Sequence, residues 1–427
     1  MCRISPYLAA LALLCSGTAW GLAVAGDTGP MLPKPTPTQA AWQDLETIAF
    51  LHFGMNTFTN REWGEGTEDP RLFHPTQLDA DQWVRALKAA GMKLVILTAK
   101  HHDGFCLWPS RYTEHSVKNS PWREGQGDVV REVAQACRRA GVKFGFYLSP
   151  WDRHEPSYGT PAYNTHFASQ LRELLTGYGP IAEVWFDGAC GEGPNGKRQE
   201  YDWAAYYQVV RELQPKALIA ICGPDIRWVG NESGVAREDE ASTQPNSDGS
   251  LRWHPAECDV SIRPGWFYHP AEDARVKTLP ELMDIYYQSV GRNAVLLLNV
   301  PPDTRGLIHE NDAARLAELG AEVRRRFGRS LASTQGKGST LQLSLDRPTR
   351  ADHVVLMEDI RQGERVRKYV VEGLAEGRWR PLGSGKVIGH KRIHRFDPVP
   401  LSRVRLRVLD ATGEPLIRKL ALYRADK

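Results

Sequence analysis

The feature that most constrains this chain is a regular alternation of apolar runs with amphipathic helical patterns. Runs rich in aromatic and β-branched residues stand at residues 47–54, 93–100, 143–150, 181–187, 217–223 and 294–300. Helical patterns fill the intervals at residues 79–90, 128–140, 163–176, 201–213 and 279–291. Short runs that are apolar throughout, instead of every second residue, read as strands buried on both faces. Two helical patterns end on the same device: Lys88-Ala89-Ala90-Gly91-Met92-Lys93 and Arg138-Arg139-Ala140-Gly141-Val142-Lys143. In each, a glycine stops a helix and the chain feeds directly into a strand. Strands alternating with helices over this length predict a parallel sheet, and a (β/α)8-like barrel over residues 31–329 matches it.

From about Ser330 the rhythm changes to short alternating segments at residues 340–345, 351–357, 368–372 and 404–409, which predict an antiparallel β-sandwich as an accessory domain over residues 330–427. The total of 54 Lys+Arg against 51 Asp+Glu argues against a protein that coats nucleic acid by bulk charge. That balance conceals two halves: residues 331–427 carry 20 basic and 11 acidic side chains, so the rest of the chain is net acidic. A basic sandwich docked on an acidic barrel accounts for this. The sharper alternative is attraction to an anionic glycan or envelope surface.

Residues 1–25 are set apart as a signal peptide, since Arg3 precedes an apolar run from Tyr7 to Leu14 and Ala23-Val24-Ala25 offers a small-x-small cleavage site. No later stretch reaches the roughly 18 apolar residues of a membrane span, so an exported protein, periplasmic or secreted, is expected. Cys106, Cys137, Cys190, Cys222 and Cys258 remain after the leader, an odd number without metal-site spacing, read as buried thiols with room for one disulfide.

Several motifs bear on chemistry. Gly191-Glu192-Gly193-Pro194-Asn195-Gly196 matches G-x-G-x-x-G, but Pro194 and Lys197-Arg198-Gln199 follow where a dinucleotide fold needs an apolar helix, so a nucleotide cofactor is not expected. No H-E-x-x-H, Walker A or G-x-S-x-G motif occurs. His101-His102-Asp103 ends one apolar run and His52 another, at the barrel mouth where site residues gather. Alternation along a strand would send the adjacent histidines to opposite faces, against a shared metal site. Asp187 ends the run Val184-Trp185-Phe186, and Glu232 follows the next run beside Trp228. An apolar wall is the setting in which a carboxyl can keep its proton, and two carboxyls on neighbouring strand-end loops suit a retaining glycosidase. Glu238, Asp239 and Glu240 compete for the acid role. The 13 Trp, outnumbering the 12 Phe, suit a site that faces the C–H surfaces of sugars.

Four stretches, His52-Phe53-Gly54-Met55-Asn56-Thr57-Phe58, Leu97-Thr98-Ala99-Lys100-His101-His102-Asp103-Gly104-Phe105, Trp185-Phe186-Asp187-Gly188 and Trp228-Val229-Gly230-Asn231-Glu232, resemble α-L-fucosidases of glycoside hydrolase family 29. The wording is most similar to the subfamily acting on α-1,3/1,4-linked fucose in branched glycans. The resemblance implies Asp187 as nucleophile and Glu232 as acid/base. It further implies fucose contacts from His52, Glu62, Trp63, His101, His102, Tyr147, Trp185 and Trp266, a fucosylated glycan as partner, and no metal or cofactor. One departure stands out: Arg237-Glu238-Asp239-Glu240-Ala241-Ser242 has Ala241 where that pattern carries Trp, which bears on acceptor recognition. Asn231-Glu232-Ser233 is a glycosylation sequon beside the proposed acid, where a glycan would crowd the site. Asn231 is therefore expected to be unmodified, and the protein bacterial and periplasmic. The alternatives are a retaining hydrolase of another sugar, such as an α-galactosidase, and a catalytically silent glycan-binding protein.

Overall fold

A computed structural model describes residues 32–425, so the signal-peptide reading of residues 1–25 lies outside the described residues. Eight parallel strands form the first body: β1 (Thr47–Leu51), β2 (Leu94–Lys100), β3 (Lys143–Leu148), β4 (Glu183–Phe186), β5 (Leu218–Ile221), β6 (Arg227–Trp228), β7 (Ala256–Ser261) and β8 (Val295–Asn299). Their order, β5-β4-β3-β2-β1-β8-β7-β6, is cyclic except between β5 and β6, so the barrel has one open seam. The expected fold class is observed. All six predicted runs contain strands, while β6 and β7 escaped prediction.

The barrel interior follows from a period of two within each strand. Ile48, Phe50, Leu94, Ile96, Tyr147, Trp185, Leu218, Ala220, Val295 and Leu297 point inward and pack together. Their neighbours Ala49, Leu51, Val95, Leu97, Phe144, Phe146, Val184, Ile219, Leu296 and Leu298 point outward into the layer shared with the helices. Burial on both faces is why these strands read as unbroken apolar runs. The helix Val129–Ala140 shows how the ends are set: Asp128 accepts a hydrogen bond from the Arg131 amide, and Gly141 closes the helix at φ +67°. Trp42, on the short helix Pro37–Gln43, closes the barrel floor by donating from Nε1 to Glu183 Oε2 at 2.7 Å.

Six antiparallel strands follow: β9 (Ala332–Lys337), β10 (Thr340–Glu358), β11 (Val366–Ala375), β12 (Arg378–Gly385), β13 (Arg392–Ala411) and β14 (Leu416–Tyr423). They form one sheet in the order β9-β14-β10-β13-β11-β12. Register shifts break the β10–β13 ladder between Ser344 and Thr349 and between Ala351 and His353. The two halves of each long strand can therefore serve opposite layers over a core that includes Leu343, Val354, Leu356, Val371, Leu401, Val404, Leu406, Leu420 and Leu422.

Barrel and sandwich lie within one compact unit. Ion pairs join sandwich cations to barrel anions: Arg418 to Asp44 at 3.0 Å, Arg395 to Asp284 at 3.0 Å, Lys386 to Asp239 at 3.2 Å, and Lys391 to Glu46. The docking of a basic body on an acidic one is thus visible contact by contact. All five cysteines within the described residues are free thiols, three buried and two partly exposed. The glycine-rich segment at residues 191–196 forms a loop, not a helix start. Gly191 and Gly193 let it lie against Trp151 and Tyr158, which a Cβ would approach to 2.1 and 2.4 Å.

Candidate active site

The C-terminal ends of the barrel strands converge on a cleft of about 140 Å³, below the range of about 300–1,000 Å³ typical of sites for larger ligands. Asp187 follows β4 directly. Its Oδ2 accepts a hydrogen bond from the Tyr147 hydroxyl at 3.0 Å, and its Oδ1 accepts one from the Ala189 amide at 2.7 Å. Tyr147, on β3, stacks on Trp185 of β4 with ring centres 5.3 Å apart. Trp185 donates in turn from Nε1 to Glu257 Oε2 on β7 at 2.8 Å. The nucleophile candidate therefore rests on a relay that crosses the barrel interior.

Three histidines line the same cleft. His52 contacts Asn299 Oδ1 through Nδ1 at 2.9 Å, which assigns the proton to Nδ1 and leaves Nε2 as an acceptor. His102 Nδ1 lies 2.7 Å from Ser149 Oγ, whose own proton goes to the Trp151 carbonyl at 2.6 Å, so His102 donates there. Its Nε2 sits 3.9 Å from Asp187 Oδ2. Asn56 Nδ2 lies 3.3 Å from His101 Nδ1, which makes that nitrogen the acceptor and Nε2 the donor. Burial pushes the His52 ring down to about 3 and that of His102 to about 4, so both are neutral near pH 7. The cleft thus presents both donors and acceptors on uncharged rings, as recognition of several hydroxyls requires. His101 and His102 were expected on opposite faces, yet both line the cleft with ring centres 4.0 Å apart. The reason is local: β2 ends at Lys100, and the chain turns at residues 101–104, where strand alternation no longer applies.

Glu232 stands on the loop after β6 and accepts from Trp266 Nε1 at 3.2 Å. An Asn231-centred turn shapes this loop, with Asn231 Oδ1 accepting from the Ser233 amide at 3.1 Å and Nδ2 donating to the Val235 carbonyl at 2.8 Å. Glu62 also lines the cleft, but its oxygens accept from the Trp266 amide at 2.8 Å and the Phe267 amide at 3.1 Å, and one lies 2.6 Å from His269 Nε2. Glu62 thereby holds the segment that carries Trp266. Trp63 is 59% exposed at the rim, edge-on to His102 and Trp151. All ten residues expected at the site line this one cleft.

A family model described as alpha-L-fucosidase matches residues 37–326. The chain belongs to the α-L-fucosidase family. Alpha-L-fucosidase 1 of Arabidopsis thaliana is 43% identical over 449 residues, covering 92% of this chain and 88% of the relative. Among solved structures, a putative α-L-fucosidase from Bacteroides ovatus is 50% identical with a TM-score of 0.88, covering 92% of this chain and 74% of its own. A Ruminococcus gnavus GH29 fucosidase in complex with fucose is 31% identical with a TM-score of 0.85, covering 93% and 97%.

In this α-L-fucosidase fold the other acidic side chains near Glu232 are committed elsewhere. Glu240 is buried against Arg227, Asp239 pairs with Lys386 at 3.2 Å, and Glu238 is exposed with Arg292 3.9 Å away. None of the three lines the cleft. Sequence reasoning missed Phe50, Ala189 and Asp259, which do. Asp259, on β7, accepts from Trp228 Nε1 at 2.7 Å. Burial, with Glu232 and Asp187 adding to it, pushes its carboxyl up to about 7. The available signal was the pair Glu257 and Asp259 two residues apart, a spacing that puts both on one face of a strand.

Proposed function

We propose that this glycoside hydrolase is a retaining exo-α-L-fucosidase that releases terminal α-1,3/1,4-linked L-fucose from branched glycans. Asp187 attacks the anomeric carbon while Glu232, protonated at the outset, gives its proton to the departing glycosidic oxygen. A water then attacks the fucosyl-enzyme, with Glu232 as base. Such a reaction needs the two carboxyl groups about 5–5.5 Å apart.

The observation that carries this reading is the sharing of one small cleft by Asp187 and Glu232, which accept from the cleft-lining Tyr147 hydroxyl and Trp266 indole, while Glu62 is taken up by the Trp266 and Phe267 amides and Asp259 by the Trp228 indole. The Tyr147 hydroxyl and the Ala189 amide orient Asp187. Phe50, Trp185 and Trp266 form an apolar wall suited to the fucose methyl group, with ring centres 5.2 and 6.4 Å from Phe50. His52, His101 and His102 supply hydrogen-bonding partners for the ring hydroxyls. The fucose complex of the Ruminococcus gnavus relative supports the choice of sugar. For linkage, support comes from the subfamily wording of the motifs and from the exposed rims of Trp63 and Trp228, which suit the C–H faces of a branched acceptor.

The test is hydrolysis of fucosylated oligosaccharides and of aryl α-L-fucoside against aryl α-D-galactoside. Asp187→Gly is expected to lose activity by at least about a thousandfold, and Glu232→Gly by about a hundredfold or more on natural linkages. Unchanged turnover in the Asp187 variant would sink the mechanism, and release from α-1,2 linkages alone would sink the linkage reading.

We also read the protein as exported, bacterial and periplasmic. Asn231 is then unmodified, in keeping with the use of both its side-chain amide atoms inside the Glu232 loop. A glycopeptide mass at residue 231 would overturn this. Among the described residues, no helix is long and apolar enough to cross a membrane.

A further inference from the structure

We propose that the C-terminal sandwich is part of the catalytic apparatus, because its Glu364 is a positioning residue for the loop that carries Glu232. This rests on Glu232 being the acid/base. β6 is only two residues long and is paired on one side, Arg227 with Ala256 and Trp228 with Glu257. In the sheet order it ends the row, so among the described residues no strand ladder supports its other edge. A two-residue edge strand has little rigidity of its own, yet Glu232 hangs from it four residues beyond Trp228.

The missing support comes from the sandwich. Glu364 lies on the loop between β10 and β11 and is fully buried against the barrel. Its Oε1 accepts from the Ser242 amide at 2.9 Å and its Oε2 from the Thr243 amide at 2.9 Å. Oε1 also accepts from Asn293 Nδ2 at 2.7 Å, and the same Nδ2 donates to the Glu240 carbonyl at 3.1 Å. The buried Glu240 side chain then holds Arg227, which also reaches the Ala241 carbonyl at 3.3 Å. One carboxylate from the sandwich therefore clamps two successive backbone amides, and the clamp passes through Glu240 to the first residue of β6. Arg392 adds a second tie from the sandwich, donating to the Glu238 carbonyl at 2.7 Å. Hydrogen bonds to a carboxylate are of the stronger, charge-assisted kind.

A loop released from this clamp would misplace the proton donor without altering Asp187, which is held from β3 and the β4 loop. The consequence depends on the leaving group. A fucoside whose leaving group departs without protonation does not need Glu232 in the first step, whereas a sugar leaving group does. The experiment compares kcat/KM of the full chain for a fucosylated trisaccharide and for 2,4-dinitrophenyl α-L-fucoside. Glu364→Ala is expected to lose about tenfold or more on the trisaccharide and less than about twofold on the dinitrophenyl substrate, a fraction of the full effect of a general acid. Equal losses on both substrates, or no loss on either, would overturn the proposal. If Glu364→Ala does not fold, Glu364→Gln keeps the shape and one carbonyl acceptor, and its leaving-group split is read the same way. Glu232→Gly, measured alongside, separates the two claims. A split in Glu232→Gly without one in the Glu364 variants defeats the positioning role alone, and the absence of a split in Glu232→Gly defeats the acid/base assignment itself.

Discussion

Asp259 shows how one residue can escape a sequence search and still shape a site. Its carboxyl is buried on β7, is pushed up to about 7 by that burial and by the nearby Glu232 and Asp187, and holds the Trp228 indole. Because the native value lies above the 3.8 of an unperturbed Asp, the folded chain retains a proton that the unfolded chain gives up. Stability is therefore lost as pH rises from about 4 to about 7 and is flat beyond. Asp259→Asn removes that cost while its amide oxygen can still accept from Trp228. Thermal unfolding should show the variant gaining on the wild type across this window, on the order of a few kcal/mol at pH 8 as an upper bound. An equal difference at pH 4.5 and pH 8 would contradict this account. Asp187 and the histidines were legible because polar residues stood out at the ends of apolar runs, and Glu232 from its place beside Trp228 and the motif it closes. Asp259 was harder to find: its two-residue spacing from Glu257 puts both on one face of a strand, but a local window does not say that this face lines a cleft.

At the scale of elements, strands β1–β5 and β8 were readable because burial on both faces demands unbroken apolar runs. β7 breaks that rule. Its sequence, Ala256-Glu257-Cys258-Asp259-Val260-Ser261, puts Glu257 and Asp259 inward, where Trp185 and Trp228 supply their hydrogen bonds. Polar groups satisfied by distant partners erase the apolar signature. The helix stops were legible for a different reason, since they depend on backbone conformation alone. Gly141 sits at φ +67° with open space where a Cβ would go. Gly141→Ala should therefore cost about 1–2 kcal/mol through the left-handed conformation and not through a clash. Thermal denaturation would register it, with kcat/KM unchanged. A stability equal to wild type would show that the turn relaxes to another conformation.

At the scale of the molecule, barrel and sandwich are coupled by more than surface charge. The ion pairs of Arg418, Arg395 and Lys386 involve exposed partners and contribute about 0–1 kcal/mol each. The buried links weigh more: Glu364 on Ser242, Thr243 and Asn293, and the Tyr287 hydroxyl 2.7 Å from His353 Nε2. Separating the bodies would strand these groups, so unfolding should be a single cooperative transition with weak salt dependence. Trp379 is the one tryptophan after residue 330 and reports on the sandwich. Its fluorescence, isolated in a variant whose barrel is followed by far-ultraviolet dichroism, should move with the barrel signal, and two resolved midpoints would refute the coupling. What the sequence by itself determined was whatever local chemistry dictates: the strand–helix alternation, the change to a two-residue period after residue 330, the charge split, and the site residues written into long motifs. Only the tertiary structure decided which strand stayed open at the seam, which carboxyls became structural, and that the sandwich reaches Glu240 through Glu364. Those outcomes depend on burial and on hydrogen bonds between residues distant in sequence, 31 positions apart for Trp228 and Asp259 and 122 for Ser242 and Glu364, and no periodicity or local propensity encodes them.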